Sequence, residues 1–143
     1  MPDAELIAAY RTTSYRIMAA DGSLLAEARI DRRSAAVDSI LAAHGAGSGV
    51  FITGWNPRSE PTDPERNRAA HERLERALRE LGTRFLDHVG VGEDPSWSEH
   101  GVFALDLGVT DALALARAFE QHAVVLVRSG EPARLLLTEL EPR

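Results

Sequence analysis

The sequence predicts an α+β domain spanning residues 1–143, with a mixed sheet in the order ββαβαββαββ packed by three helices. Two observations carry this. Turn signals between short apolar runs near both ends, Asp21-Gly22 and Ser129-Gly130-Glu131-Pro132, predict hairpins. Between them, apolar runs alternate with stretches of helical period, so strand-helix-strand passages could supply parallel pairs beside the antiparallel hairpins.

The first hairpin pairs Thr12 to Ala19 with Leu24 to Ile30. Ser34 can cap a helix carrying Val37, Ile40, Leu41 and Ala42 at helical spacing, and the glycine-rich run from Gly45 to Gly49 ends it before a strand over Val50 to Thr53. The next helix is the clearest. Thr62 with Glu65 reads as a capping box, Pro64 sits in the first turn, Ala70, Leu74, Ala77, Leu78 and Leu81 form one stripe, and Gly82 stops it. Arg84 to Val91 and Val102 to Leu107 read as strands separated by a long connection. Thr110 is placed to cap a strongly apolar helix from Asp111 to about Gln121, expected to be buried against the sheet. The strands Ala123 to Val127 and Arg134 to Thr138 complete the order.

Composition excludes several classes. There is no cysteine, hence no disulfide framework, thiolate nucleophile or cysteine-ligated metal, which suits a cytoplasmic protein. No apolar run is long enough to span a membrane, and the N-terminus lacks a secretion pattern, so no membrane association is expected. All 16 basic residues are arginine, which with the abundance of alanine suggests a high-GC bacterial genome. The net charge of -6 argues against general nucleic-acid binding, because phosphate recognition needs clustered positive charge and Arg66, Arg68, Arg73, Arg76 and Arg79 are interleaved with Glu65, Glu72, Glu75 and Glu80; a local basic groove stays open.

The stretch Phe51-Ile52-Thr53-Gly54-Trp55-Asn56-Pro57-Arg58 runs from a strand into a polar, aromatic loop. Trp55 offers a flat stacking surface or a core side chain. Asn56, pushed toward extended geometry by Pro57, either presents its amide or satisfies the loop backbone. Asn67 lies on the apolar stripe of the following helix, so it must find a partner: it either braces Asn56 or shares a ligand with it. Glu99, beside Trp97, is the one carboxylate considered for general-base or cation-binding work, since a tryptophan neighbour could desolvate it. Gln121 could read a polar ligand or satisfy frayed helix carbonyls. No nucleophile elbow, Walker-type loop or zinc-protease helix occurs, the five histidines show no ligand spacing, and no metal or cofactor is expected.

With these residues in place, the chain resembles a bacterial family of uncharacterised proteins, the domain-of-unknown-function family 3293. The resemblance rests on Tyr10, Tyr15, Phe51 to Ser59, Glu65, Asn67, Gly90, Gly92, Pro95, Trp97, Glu99 and Phe119 to Ala123, and it covers nearly the whole chain. The family pattern reads Thr-Ala-Trp-Asn-Pro and Phe-Gly-Gln-Asn-Ala, so Gly54, Glu120 and His122 are departures. The resemblance implies no established activity, cofactor or substrate.

The residues therefore favour a module that binds a polar small molecule, nucleotide-like or carboxylate-bearing, or a protein partner. Its site would be built from Trp55, Asn56, Arg58, Asn67, Trp97 and Gln121, because amides, an arginine and aromatics are recognition groups. One alternative is a small hydrolase- or transferase-like enzyme with Glu99 as general base, Arg58 stabilising an anion and the two asparagines orienting substrate. Another is a structural or oligomerisation domain in which the polar network is only a brace.

Overall fold

The computed structural model describes residues 3–142. The chain runs through α1 (Ala4–Thr12), β1 (Ser14–Met18), β2 (Leu24–Ala28), α2 (Ala35–Ala43), β3 (Ser48–Ile52), a single 3-10 turn (Pro57–Ser59), α3 (Pro64–Glu80), β4 (Phe85–Val91), β5 (Ser98–Leu105), α4 (Val109–Ala118), β6 (Ala123–Arg128) and β7 (Arg134–Leu137). The order ββαβαββαββ is present, and α1 precedes it. Local chemistry accounts for α1: Asp3 is its N-cap, accepting from the Leu6 amide at 2.8 Å, and Ala4 to Thr12 contains no helix breaker.

All seven strands join one sheet, in the order β2-β1-β4-β5-β3-β6-β7. Every ladder between these strands is antiparallel, which differs from the mixed sheet expected. The helical crossovers do link strands of like direction, but intervening strands separate each pair, three of them between β2 and β3. β5 lies between β3 and β4, and β3 lies between β5 and β6. Each of these two crossovers thus leaves a slot that an antiparallel strand fills. The one parallel bridge joins Ile30 to Ala133, just outside β2 and β7, so the sheet curls until its two edges meet at that point.

Strand alternation sends two clusters to opposite faces. On the concave face, Tyr15, Ile17, Phe51, Phe103, Val125 and Val127 pack with Val37 and Leu41 of α2. On the other, Val50, Ile52, Val102, Val124 and Leu126 meet Leu74 and Leu78 of α3 and Ala112 and Ala116 of α4. Truncating a fully buried leucine such as Leu74 in a core of this kind costs about 2–5 kcal/mol. Two glycines are sterically required. A Cβ on Gly49 would meet the Phe103 ring at 2.0 Å, and one on Gly101 would meet the Ile52 carbonyl at 2.4 Å and the His88 ring at 2.8 Å.

Several boundaries differ from expectation. The α3 cap is Asp63, whose side chain accepts from the Arg66 amide at 3.0 Å, one residue after Thr62. α4 begins at Val109 behind Gly108, so Thr110 lies inside its first turn, and the helix buries only a narrow alanine face. β5 starts at Ser98, which places Glu99 on a strand instead of in the loop before one. No helix among the described residues is long and apolar enough to cross a membrane.

Candidate functional site

The register between β4 and β5 sets Glu99 opposite Gly90 and Gly101 opposite His88, so Glu99 and His88 emerge from the same concave face. Tyr15 joins them from β1, because it pairs with Gly90 on its other side. Above these residues α1 crosses the sheet and leaves a cavity of about 540 Å³. Tyr15, Phe51 and His88 contribute to its floor, Leu6, Ala9 and Tyr10 line it from α1, and Trp97 and Gln121 line its sides. Trp97 is 40% exposed, which fits a position at the mouth.

Glu99 is the chemical centre of this cavity. Burial pushes its carboxyl up to about 7, and a hydrogen bond from Asn56 acts weakly in the other direction. Asn56 Nδ2 donates to Glu99 Oε2 at 2.9 Å. Asn56 is held in turn: its backbone amide donates to Asn67 Oδ1 at 2.9 Å, while its Oδ1 accepts from Asn67 Nδ2 at 3.0 Å and from the Thr62 amide at 3.0 Å. Both asparagines are buried. Asn67 thus braces Asn56, and Asn56 aims Glu99.

The loop that delivers Asn56 is strained. Asn56, Arg58 and Ser59 have φ of 47°, 58° and 62°, in the left-handed region. Asn56 therefore departs from the extended geometry expected before Pro57. Asparagine tolerates this conformation best among non-glycine residues, and the bonds to Asn67, Thr62 and Glu99 hold it there.

The remaining sequence-selected residues divide. Gln121 lines the cavity while its Nε2 donates to the Trp55 carbonyl at 2.9 Å, tying the loop to the start of β6. Trp55 itself does not line the cavity; its ring lies 5.0 Å from that of His100, and its indole nitrogen is buried without a hydrogen-bond partner. Arg58 also points elsewhere. Its Nε donates to Glu120 at 3.0 Å and its guanidinium reaches the Glu141 carbonyl at 2.9 Å, so it clamps the loop to the C-terminal segment.

Residues that the sequence did not single out by chemistry complete the cavity. His88 is 4% exposed, and both ring nitrogens lack hydrogen-bond partners. Burial, followed by the neighbouring His100 and His71, pushes its imidazole down to about 3, so it is neutral at ordinary pH. Tyr10 is raised to about 12, chiefly by burial, with Ser59 opposing and Glu99 adding to the rise; Tyr15 is raised as well, mainly by burial. His88 and Tyr10 carry no local motif. Their roles arise from sheet register and from α1, and the alternation of β4 was the only signal for the former.

The segment that holds Asn56, Asn67, His88, Glu99 and Gln121 is also what decides kinship. A family profile described as "Protein of unknown function (DUF3293)" matches residues 52–124. The chain belongs to the DUF3293 family. The matched span covers the bracing loop, α3 and the β4–β5 wall of the cavity, while α1 and Tyr15 fall before it. No curated protein and no solved structure matches the chain.

Beside the cavity, across Thr12, Gly92 and Glu93, Arg11, Arg16, Arg29 and Arg32 line a shallow groove. Two of these charges are offset, Arg11 by Asp31 and Arg29 by Glu27. Among the described residues, no cluster of three or more histidine and acidic side chains is arranged to hold a metal ion.

Proposed function

We propose that this DUF3293 member is a small-molecule-binding domain whose site is the cavity between α1 and the concave sheet face. The observation that carries the reading is the convergence of Glu99, Tyr10, His88 and Gln121 on one cavity of about 540 Å³, a volume typical of small-molecule sites. Trp97 and Glu99 act as ligand contacts in this reading. Asn56 and Asn67 act behind them, as the orienting layer that keeps a carboxyl aimed into a partly dry space. Trp55 and Arg58 serve the loop.

A thermal-shift screen against polar metabolites tests the proposal when run on the natural chain and on Ala9→Trp, which fills the cavity from α1. Compounds that stabilise the natural chain should lose their effect in the variant. Shifts unchanged by the tryptophan would move the site elsewhere, and no shift with any compound would count against a ligand site.

A second reading is favoured by the placing of the Glu99 carboxyl on the cavity wall under the Asn56 amide, where burial pushes it up to about 7. A group that exchanges protons near neutral pH can serve as a general acid or base, so the same cavity could carry proton-transfer chemistry. Glu99→Gln would then abolish turnover of a bound compound, followed by NMR, while leaving its binding measurable. The purely structural alternative is not favoured, because the asparagine network ends on a carboxyl that lines a cavity.

A further inference from the structure

We infer that the cavity selects a small organic cation, with a protonated amine seated against Glu99 and an apolar or aromatic body over the floor. This rests on the reading of the cavity as a ligand site and specifies the ligand's charge.

The sign of the lining is the first observation. Glu5, Glu93, Asp94 and Glu99 line the cavity, the chain contains no lysine, and no arginine lines the cavity among the described residues. Arg58, the group that would have received a carboxylate or phosphate, is engaged with Glu120 and the Glu141 carbonyl. An anionic ligand would therefore meet the repulsion of these carboxylates, whereas an ammonium group gains a charge-assisted hydrogen bond to Glu99.

The second observation is aromatic. Tyr10, Tyr15 and Trp97 line the same space, and ring faces attract organic cations in addition to packing against apolar bodies. The third is His88: its ring lines the cavity while both nitrogens are enclosed by the protein, so it gives the floor an uncharged aromatic surface and no positive charge that would oppose a cation.

Titratable groups around Glu99 do not compete with this role. Tyr10 and Tyr15 stay protonated and His88 stays neutral, leaving Glu5, Glu93 and Asp94 as the other acids on the cavity wall. Binding an ammonium group favours ionised Glu99. Affinity for an amine should therefore rise as pH rises toward about 7 and level off above it, with proton release on binding near neutrality.

Calorimetry with three probes of one shape tests the inference: tyramine, uncharged para-ethylphenol and anionic para-hydroxyphenylacetate. Tyramine should bind at least tenfold more tightly than either. In Glu99→Gln that advantage should vanish while para-ethylphenol is unaffected; should the variant not fold, the pH dependence of tyramine binding to the natural chain carries the test. Para-ethylphenol or para-hydroxyphenylacetate binding as tightly as tyramine would overturn the charge assignment while leaving the ligand site standing. Tyramine affinity that falls or stays flat from about pH 5.5 to 7 would overturn it as well. Failure of all three probes at millimolar concentration would remove both.

Discussion

Asn56 donates to Glu99 across 43 residues of sequence, and this 2.9 Å bond joins a strained loop to the cavity. Because the bond favours the ionised carboxyl, Asn56→Ala should raise Glu99 further above about 7. Carbon-detected NMR titration of the carboxyl reads this directly. An unchanged or lowered midpoint would mean that Asn56 does not set the charge state of Glu99.

Asn67 supports Asn56 with both ends of its amide, at 2.9 and 3.0 Å. Asn67→Leu should destabilise the fold by about 1–3 kcal/mol, since it leaves the buried Asn56 backbone N–H without its partner. Urea unfolding measures the loss. A change under about 0.5 kcal/mol, the range of ordinary surface substitutions, would show that the brace is dispensable.

Half-buried Glu99 and buried His88 should shape stability against pH in opposite directions. Glu99 is raised in the folded state from 4.5 to about 7, so its contribution is complete below the unfolded value and is lost as pH rises toward 7. His88 is lowered from 6.5 to about 3, so its contribution is present above 6.5 and is lost as pH falls toward 3. Between 4.5 and 6.5 the two slopes, each up to about 1.4 kcal/mol per pH unit, cancel. Glu99→Gln should therefore steepen the gain in stability with rising pH over that window relative to the natural chain. Parallel stability curves for the two proteins would contradict it.

Gly101→Ala would drive a methyl group to 2.4 Å from the Ile52 carbonyl and 2.8 Å from His88. The expected cost is about 1–3 kcal/mol, as for other overpacked cores. Thermal unfolding checks it, and Gly47→Ala, where a Cβ would meet only Asp106 Oδ1 at an ordinary 3.8 Å, is the control.

Arg58→Ala separates loop support from ligand contact. The variant should loosen the C-terminal segment, visible as faster amide exchange near Glu141, while changing the affinity of any cavity ligand less than twofold. A tenfold loss of affinity would place Arg58 in recognition after all.

What was legible in the sequence follows the range of the interactions. The hairpins, α2 and α3 are announced by turn residues, caps and period, all read within a few positions. Asn67 was conspicuous for a local reason too, a polar residue on an apolar stripe. α1 was overlooked because it is short and has no buried residue to give it a strong apolar stripe. His88 looked like any histidine until register placed it under α1 beside Glu99. The clamp made by Arg58 has no local sign, because its partner, Glu120, lies 62 residues away.

The contact between Ile30 and Ala133 has a consequence for how the molecule keeps to itself. The Asp31 amide donates to the Ala133 carbonyl at 2.8 Å, and the Ala133 amide donates to the Arg32 carbonyl at 3.1 Å. An open sheet offers two raw selvedges to any passing strand, the usual starting point for stacking into fibres. Here the ends of both selvedges are stitched to each other, so the backbone groups at that corner are already spoken for when another copy arrives.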